Sequence, residues 1–124
     1  MAFLMLSSQK SLLTMKKNEL QFNWSCKLNQ VQNMKKRETD HTKRQNEIVN
    51  AWNADPANAE NQIEWDMDTD PVYQALMKEE ELLTIEADSY QQQIQVIDQE
   101  IAALKQTVST DIKQATQLSL LGGS

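Results

Sequence analysis

Residues 83–108 of this chain, LTIEADSYQQQIQVIDQEIAALKQTV, carry a stripe of mostly apolar residues at alternating spacings of four and three. This is the 3.5-residue repeat of a helix that packs along its length against another helix. The stripe consists of Leu83, Ala87, Tyr90, Ile94, Ile97, Ile101, Leu104 and Val108, and its register continues back to Tyr73 and Leu76 and forward to Asp111, Ala115 and Leu118. The pattern predicts one long helix that needs a partner helix.

The first half of the chain carries a weaker repeat in a single heptad register. Its apolar members are Leu13, Leu20, Trp24, Val31, Met34, Ile48 and Trp52, and the other positions of the register are Lys17, Lys27, Glu38, His41 and Gln45. We call the two stripes, one on each predicted helix, the seam. Residues 35–47, KKRETDHTKRQNE, contain no apolar residue. We therefore expect charge pairing or a partner, rather than burial, to hold this part of the first helix.

Two Asp-Pro pairs, at residues 55–56 and 70–71, divide the chain. Aspartate is a good helix N-cap and proline suits the first helical position, while the residue before proline is pushed out of the helical region. The segments expected are a flexible apolar N-terminus (1–7), a basic helix (8–53), an acidic connector (54–70) with a short helix from Pro56 to about Trp65, an acidic helix (71–119) and a flexible tail (120–124). We predict an all-α protein, two long helices in an antiparallel coiled-coil hairpin.

The charge distribution also favours antiparallel pairing. Residues 1–54 hold nine Lys/Arg and four Asp/Glu, whereas residues 55–124 hold three and fourteen. Closing the hairpin with Trp52 against Val72 predicts pairs whose numbers add up to about 124, such as Leu20 with Leu104. A dimer that swaps these helices between two copies would give the same sequence pattern.

The acidic connector contains two candidate binding features. Asp66, Asp68 and Asp70 alternate like the first ligands of a calcium loop. The tight-turn glycine and the bidentate glutamate of such a loop are replaced by Pro71 and Met77, so these are weak metal candidates and a solvated acidic turn is favoured. Trp65 and Met67 form a possible docking loop, although Trp65 would more simply cap its own hairpin.

The residues give no indication of catalysis. His41 is the one histidine, Cys26 is the one cysteine, and both glycines lie at the C-terminus, so no nucleophile–base set or glycine-rich phosphate loop can be assembled. Cys26 is expected to be a buried small residue or, less favoured, an intermolecular cross-link. We expect no enzyme activity, no cofactor and no small-molecule substrate.

Charge and hydropathy limit which partners and which cellular compartments are expected. The basic run 35–44 could contact phosphates, but the acidic second half of the chain is the favoured counter-charge, so nucleic acid is not the expected partner. No segment has the ~18–20 apolar residues of a membrane span, and residues 1–6 are too short for a signal-peptide core. We expect a soluble protein, cytoplasmic or exported without a cleavable signal peptide.

In outline the chain is similar to two groups of small exported bacterial proteins. Trp52-Asn53-Ala54 resembles the Trp-x-Gly turn of the WXG-type secreted hairpins, with alanine in place of glycine. Residues 53–58, NADPAN, look like the Asn/Asp/Pro-rich turn of type III secretion needle proteins. These resemblances imply a role in export or assembly.

The expected function is therefore a structural or protein–protein interaction module that self-associates or docks on a protein partner through its seam. Two alternatives stay open at this point. One is an exported helical-hairpin subunit of a bacterial secretion system or appendage, and the less favoured one is a nucleic-acid-binding protein that uses residues 35–44.

Overall fold

The computed structural model describes the backbone of residues 2–122 and the side chains of residues 4–118. It is an all-α helical hairpin in which α1 spans Ala2–Ala54 and α2 spans Pro71–Gly122. A single 3-10 turn, Pro56–Asn58, is the helical part of the connector, and no strand occurs in the described backbone. The predicted all-α hairpin is confirmed.

The element boundaries differ from the prediction at three places. Helix α1 begins at Ala2, inside the N-terminal segment that we expected to be flexible. The helix expected from Pro56 to about Trp65 is shortened to the one turn that ends at Asn58. Helix α2 continues to Gly122, and the last two residues of the predicted tail lie outside the described residues.

Both Asp-Pro pairs act as caps. Oδ1 of Asp70 accepts hydrogen bonds from the backbone N–H of Val72 (2.9 Å) and Tyr73 (3.2 Å), which satisfies two of the free donors at the start of α2. Asp55 in the same way accepts from the N–H of Ala57 at 3.0 Å and caps the 3-10 turn. The helix starts are thus determined by residues adjacent to each proline.

The hairpin divides into two units. The first unit combines residues 1–24 with residues 88–124. Its core is formed by Leu20, Ile94 and Ile97, with Leu13, Trp24, Tyr90 and Ile101 packed against them. At the edge of this core, Nζ of Lys17 lies 2.5 Å from Oδ1 of Asp98, so a seam lysine is neutralised by the facing helix.

The second unit consists of residues 25–87 and contains the connector. Its buried apolar residues are Val31, Met34 and Ala87, which are 7%, 4% and 2% exposed. Ion pairs join the helices on either side of these residues, Lys27 with Glu86 at 2.6 Å and Lys35 with Glu80 at 3.9 Å. Ion pairs thus supplement the thin core of this unit, and the pair made by Lys35 lies at the start of the run 35–47, which has no apolar residue.

The predicted register of the two helices is wrong by about nine residues. Leu20 packs with Ile94 and Ile97 instead of Leu104. Within the second unit, Lys35 pairs with Glu80, so the paired numbers add up to about 115 rather than 124. The prediction assumed that α1 ends level with the start of α2, whereas the connector folds back along the end of α1.

The seam prediction for α2 agrees with the observed burial as far as residue 111. The positions of α2 that are buried or partly buried are Tyr73, Leu76, Met77, Glu80, Leu83, Ala87, Tyr90, Ile94, Ile97, Ile101, Leu104, Val108 and Asp111. Ala115 and Leu118, at the end of the predicted register, are exposed. Glu80, between Leu76 and Leu83, occupies a further seam position that was not named from the sequence.

The predicted seam positions of α1 are covered as far as Gln45. All predicted members from Leu13 to Gln45 are buried or partly buried, but Ile48 is 58% exposed and Trp52 is 44% exposed. Ile48 and Trp52 are exposed because the register of the two helices differs from the predicted one. Within the second unit the start of α2 lies level with His41, so α2 does not run beside the last three turns of α1, and only the connector packs there.

Candidate interaction surfaces

The connector is held by a cluster of four residues, Asp70 with His41, Trp65 and Tyr73. Nε2 of His41 lies 2.6 Å from Oδ2 of Asp70, and Nε1 of Trp65 donates to the same oxygen at 2.8 Å. These hydrogen bonds, that of His41 first and that of Trp65 second, hold the pKa of Asp70 well below its usual range. One carboxylate therefore caps α2 through Oδ1 and binds α1 and the connector through Oδ2.

Trp65 is the apolar part of this cluster. Its ring lies edge-on between those of His41 and Tyr73, with centroids 6.2 Å and 5.5 Å away and interplanar angles of 72° and 84°. Edge-to-face contacts of this kind add to the free energy gained by burial alone. Trp65, offered by the sequence as a docking residue or as a cap, lies in the capping position.

The rest of the connector is attached to the end of α1 by hydrogen bonds. Asn53 donates to the carbonyl of Ile63 and accepts from its N–H, each at 2.9 Å. The indole of Trp52 donates to the carbonyl of Asn61 at 2.7 Å. Ile63 and Met67 remain 40% and 46% exposed, so Met67 is the member of the predicted docking loop that faces solvent.

The three aspartates predicted as weak metal candidates do not converge. Asp66 uses Oδ1 to accept the N–H of Asp68 at 3.0 Å, which makes a local turn, and Asp70 is occupied as described above. Among the described residues, no group of three or more His, Cys, Asp or Glu side chains could hold a metal ion. The favoured interpretation of this segment, an acidic turn and helix cap, matches the geometry.

Glu38 and Glu80 bring two carboxyl groups together in the seam of the second unit. Oε1 of Glu38 is buried and has no hydrogen-bond partner among the described residues. Burial, followed by hydrogen bonding and repulsion from Glu80, raises the pKa of Glu38 from 4.5 to about 7, and nearby Lys35 only partly offsets this. The Glu38 carboxyl therefore binds its proton more tightly in the folded chain than in the unfolded chain.

One residue of the basic run meets the acidic counter-charge that the sequence predicts, whereas the cysteine does not lie where we expected it. Lys35 pairs with Glu80, one of the three consecutive glutamates at residues 79–81 that we call the acidic block, while Lys36, Arg37, Lys43 and Arg44 are exposed. Cys26, which we expected to be buried, is exposed because it lies on the side of α1 that faces away from the seam.

A second apolar stripe lies on α1, away from the seam, and the sequence analysis missed it. Within the first unit, Met5, Leu12, Met15 and Phe22 are 66%, 63%, 67% and 70% exposed. Their spacings of seven, three and seven are those of a heptad register in which Ser8 and Glu19 fill the other positions. The same spacing was visible in the sequence, where the stronger seam repeat obscured it. We call these four residues the outer stripe.

Helix α2 has fewer exposed apolar residues, and they are more scattered. Leu82 and Ile85 of the second unit are 55% and 64% exposed, and Val96 and Ile112 of the first unit are 52% and 50% exposed. Neither helix contains, within the described residues, an apolar stretch long enough to cross a membrane.

Comparisons with protein-family models, with curated proteins and with solved structures found no match to this chain.

Proposed function

We propose that this protein is a non-enzymatic protein–protein interaction module, a helical hairpin that binds another polypeptide through apolar faces that its own two helices leave uncovered. The observation that carries the proposal is the outer stripe, where four large apolar side chains on one helix face are each at least 63% exposed. Single exposed apolar residues are ordinary, but four at heptad spacing on one helix face are typical of a helix that packs against another polypeptide.

The small core supports the same proposal. Six apolar side chains are buried among the described residues, and none is less than 2% exposed. The chain has an accessible surface of 9506 Å². A compact monomer of 14.3 kDa would expose about 6,800 Å². Covering part of the excess with a partner would add burial that the chain lacks by itself.

The polar clusters fit a structural role better than a chemical one. His41 and Asp70 form a hydrogen-bonded pair of the kind that orients a catalytic base. Here the same aspartate also caps α2 and binds Trp65, and the imidazole is covered so that the side chain is 13% exposed. The pair therefore acts as a clamp that fixes the connector on α1.

Site-specific photo-cross-linking tests this proposal. A benzoyl-phenylalanine would be placed at Phe22, on the outer stripe, and in a separate variant at Gln21, an exposed neighbour on a different face of α1. Irradiation of cells that make the protein should give a cross-linked product from position 22 and much less from position 21.

A second pair of positions repeats the comparison on α2, with the probe at Ile85 and its control at Gln95. Products of any mass that form at the apolar position alone support an interaction module. Equal yields at the apolar and polar positions, or no product at any of them, would contradict the proposal.

A further inference from the structure

The outer stripe has the length and chemistry of one half of a helix–helix interface. From Met5 to Phe22 it extends over about 26 Å of helix. Its flanking residues are Leu4, Gln9, Ser11, Lys16, Asn18 and Asn23, of which Lys16 alone is charged. Apart from Glu19, which lies in the register of the stripe itself, charge is thus sparse around a centre rich in methionine and aromatic side chains, as it is in interface cores.

We infer that the outer stripe binds the same stripe of a second copy of this chain, with the two α1 helices antiparallel. This inference rests on the proposed function and names its partner. A two-fold axis between residues 13 and 14 places Met5 against Phe22 of the other copy and Leu12 against Met15. Each large side chain then meets another large apolar side chain, including a methionine–aromatic pair.

Charge selects the antiparallel orientation. Ser8 and Glu19 fill the two remaining positions of the outer stripe's heptad register, and of these two Glu19 is charged. In a parallel pair the two copies of Glu19 would face each other, and like charges at such positions oppose association. In the antiparallel pair each Glu19 faces Ser8 of the other copy, whose hydroxyl can donate a hydrogen bond to the carboxylate.

The area involved reaches the lower bound for a specific dimer. Taking roughly 200 Å² for a large side chain, covering the four members of the outer stripe would remove about 500 Å² from each copy. The total of roughly 1,000 Å² is the size at which specific interfaces begin. Leu4, which is 67% exposed beside Met5, adds to this area.

Disulfide trapping tests the partner and the orientation together. In a Cys26→Ser background, Met5→Cys and Phe22→Cys are made as separate full-length variants, one of them isotopically labelled. Both positions are exposed, so neither change touches the seam, and circular dichroism verifies that helicity is retained. The mixture should form a 5–22 disulfide dimer under mild oxidation, and neither variant should dimerise when oxidised alone.

The other results would overturn the inference in distinguishable ways. Disulfide dimers from each variant alone, with no excess in the mixture, would show parallel pairing. No dimer in any sample would show that a second copy does not cover the stripe. A photo-cross-link from position 22 to a different protein would likewise overturn this inference while leaving the proposed function intact.

A charge substitution gives a second, independent measurement. Ser8→Lys would face Glu19 of the other copy at two symmetric places and should tighten the dimer by about two- to thirtyfold, whereas Ser8→Glu should weaken it by a similar factor. Parallel pairing would instead bring two copies of residue 8 together, so both variants would weaken association. The dissociation constant from sedimentation equilibrium distinguishes these results.

Discussion

Nε2 of His41 lies 2.6 Å from Oδ2 of Asp70, which ties α1 to the cap of α2 thirteen residues before α1 ends at Ala54. The contact determines how far the two helices are offset in the second unit. It leaves the last three turns of α1 beside the connector, where Trp52 and Asn53 bind its backbone. A single carboxylate thus caps the start of α2, holds the connector and sets the register of the two helices in this unit.

Removing this carboxylate should loosen the connector more than removing its neighbours. Asp70→Ala loses the cap of α2 together with the bonds from His41 and Trp65, and we expect the Tm to fall by several degrees. Asp70→Asn keeps a capping oxygen, so its Tm should fall less. Thermal melts followed by circular dichroism, with Asp68→Ala as the exposed control, provide the comparison. Equal Tm values for the Asp70→Ala and Asp68→Ala variants would contradict the role of Asp70.

The same residue should make the protein sensitive to acid. Because the pKa of Asp70 is lower in the folded chain than its usual 3.8, the folded state binds fewer protons than the unfolded state at low pH. The stabilisation is present above pH 3.8 and is lost progressively as the pH falls below that value. Urea melts between pH 5 and pH 2.5 should show a steeper loss for the wild type than for Asp70→Asn. Parallel curves for the two proteins would disprove this linkage.

Glu38 should have the opposite pH dependence. Its pKa is about 7 in the folded chain against 4.5 normally, so its contribution to stability is fully present below pH 4.5 and is lost as the pH rises through 7. Glu38→Gln removes the titrating group and leaves an amide that can donate to Glu80. We expect this change to raise the free energy of unfolding at pH 8 by an amount on the order of 1 kcal/mol, and to have little effect at pH 4.

Chemical denaturation at the two pH values, at one protein concentration, measures the effect of Glu38→Gln. Glu79→Gln is the matched control, since Glu79 is on the same acidic block and is exposed. A gain that is the same at both pH values, or that the control reproduces, would show that the Glu38–Glu80 pair is not its source.

A charge in the seam should unfold the first unit. Ile97 is 4% exposed in the core with Leu20 and Ile94, so Ile97→Asp would bury an unpaired carboxylate and remove an apolar side chain. A loss of about 3–5 kcal/mol is expected. Gln95→Asp, on an exposed position of the same helix, should cost little. Helicity and stability that survive Ile97→Asp would mean that the core lies elsewhere.

The seam of α2 could be predicted because an uninterrupted helix converts a 3.5-residue repeat directly into one buried face. The register could not be predicted in the same way. It depends on the connector, where hydrogen bonds from Asn53 to Ile63 and from Trp65 to Asp70 fold the chain back on α1. Such side-chain contacts leave no periodic signal, and the exposure of Ile48 and Trp52 follows from them.

The candidate surfaces illustrate the same limit. The role of Asp70 as a cap could be predicted from the Asp-Pro pair. Its bond to His41 joins residues 29 positions apart, so it could be recognised only in the folded chain. The heptad spacing of the outer stripe is present in the sequence. The stripe became distinguishable from the seam only when the structure showed Leu20 to be 8% exposed and Phe22, two residues away, to be 70% exposed.

The central claim, that the outer stripe of α1 is covered by a second copy, is tested most directly by molar mass. Light-scattering chromatography of the wild type and of the Leu12→Lys/Met15→Lys variant would be run over a wide concentration range at low and high salt. The claim predicts that the wild type rises from 14.3 kDa to twice that mass in both salts, while the variant stays at 14.3 kDa with its helicity unchanged. The claim would be contradicted if the wild type stayed at 14.3 kDa throughout or grew well beyond twice that mass. It would also be contradicted if the Leu12→Lys/Met15→Lys variant dimerised as readily as the wild type.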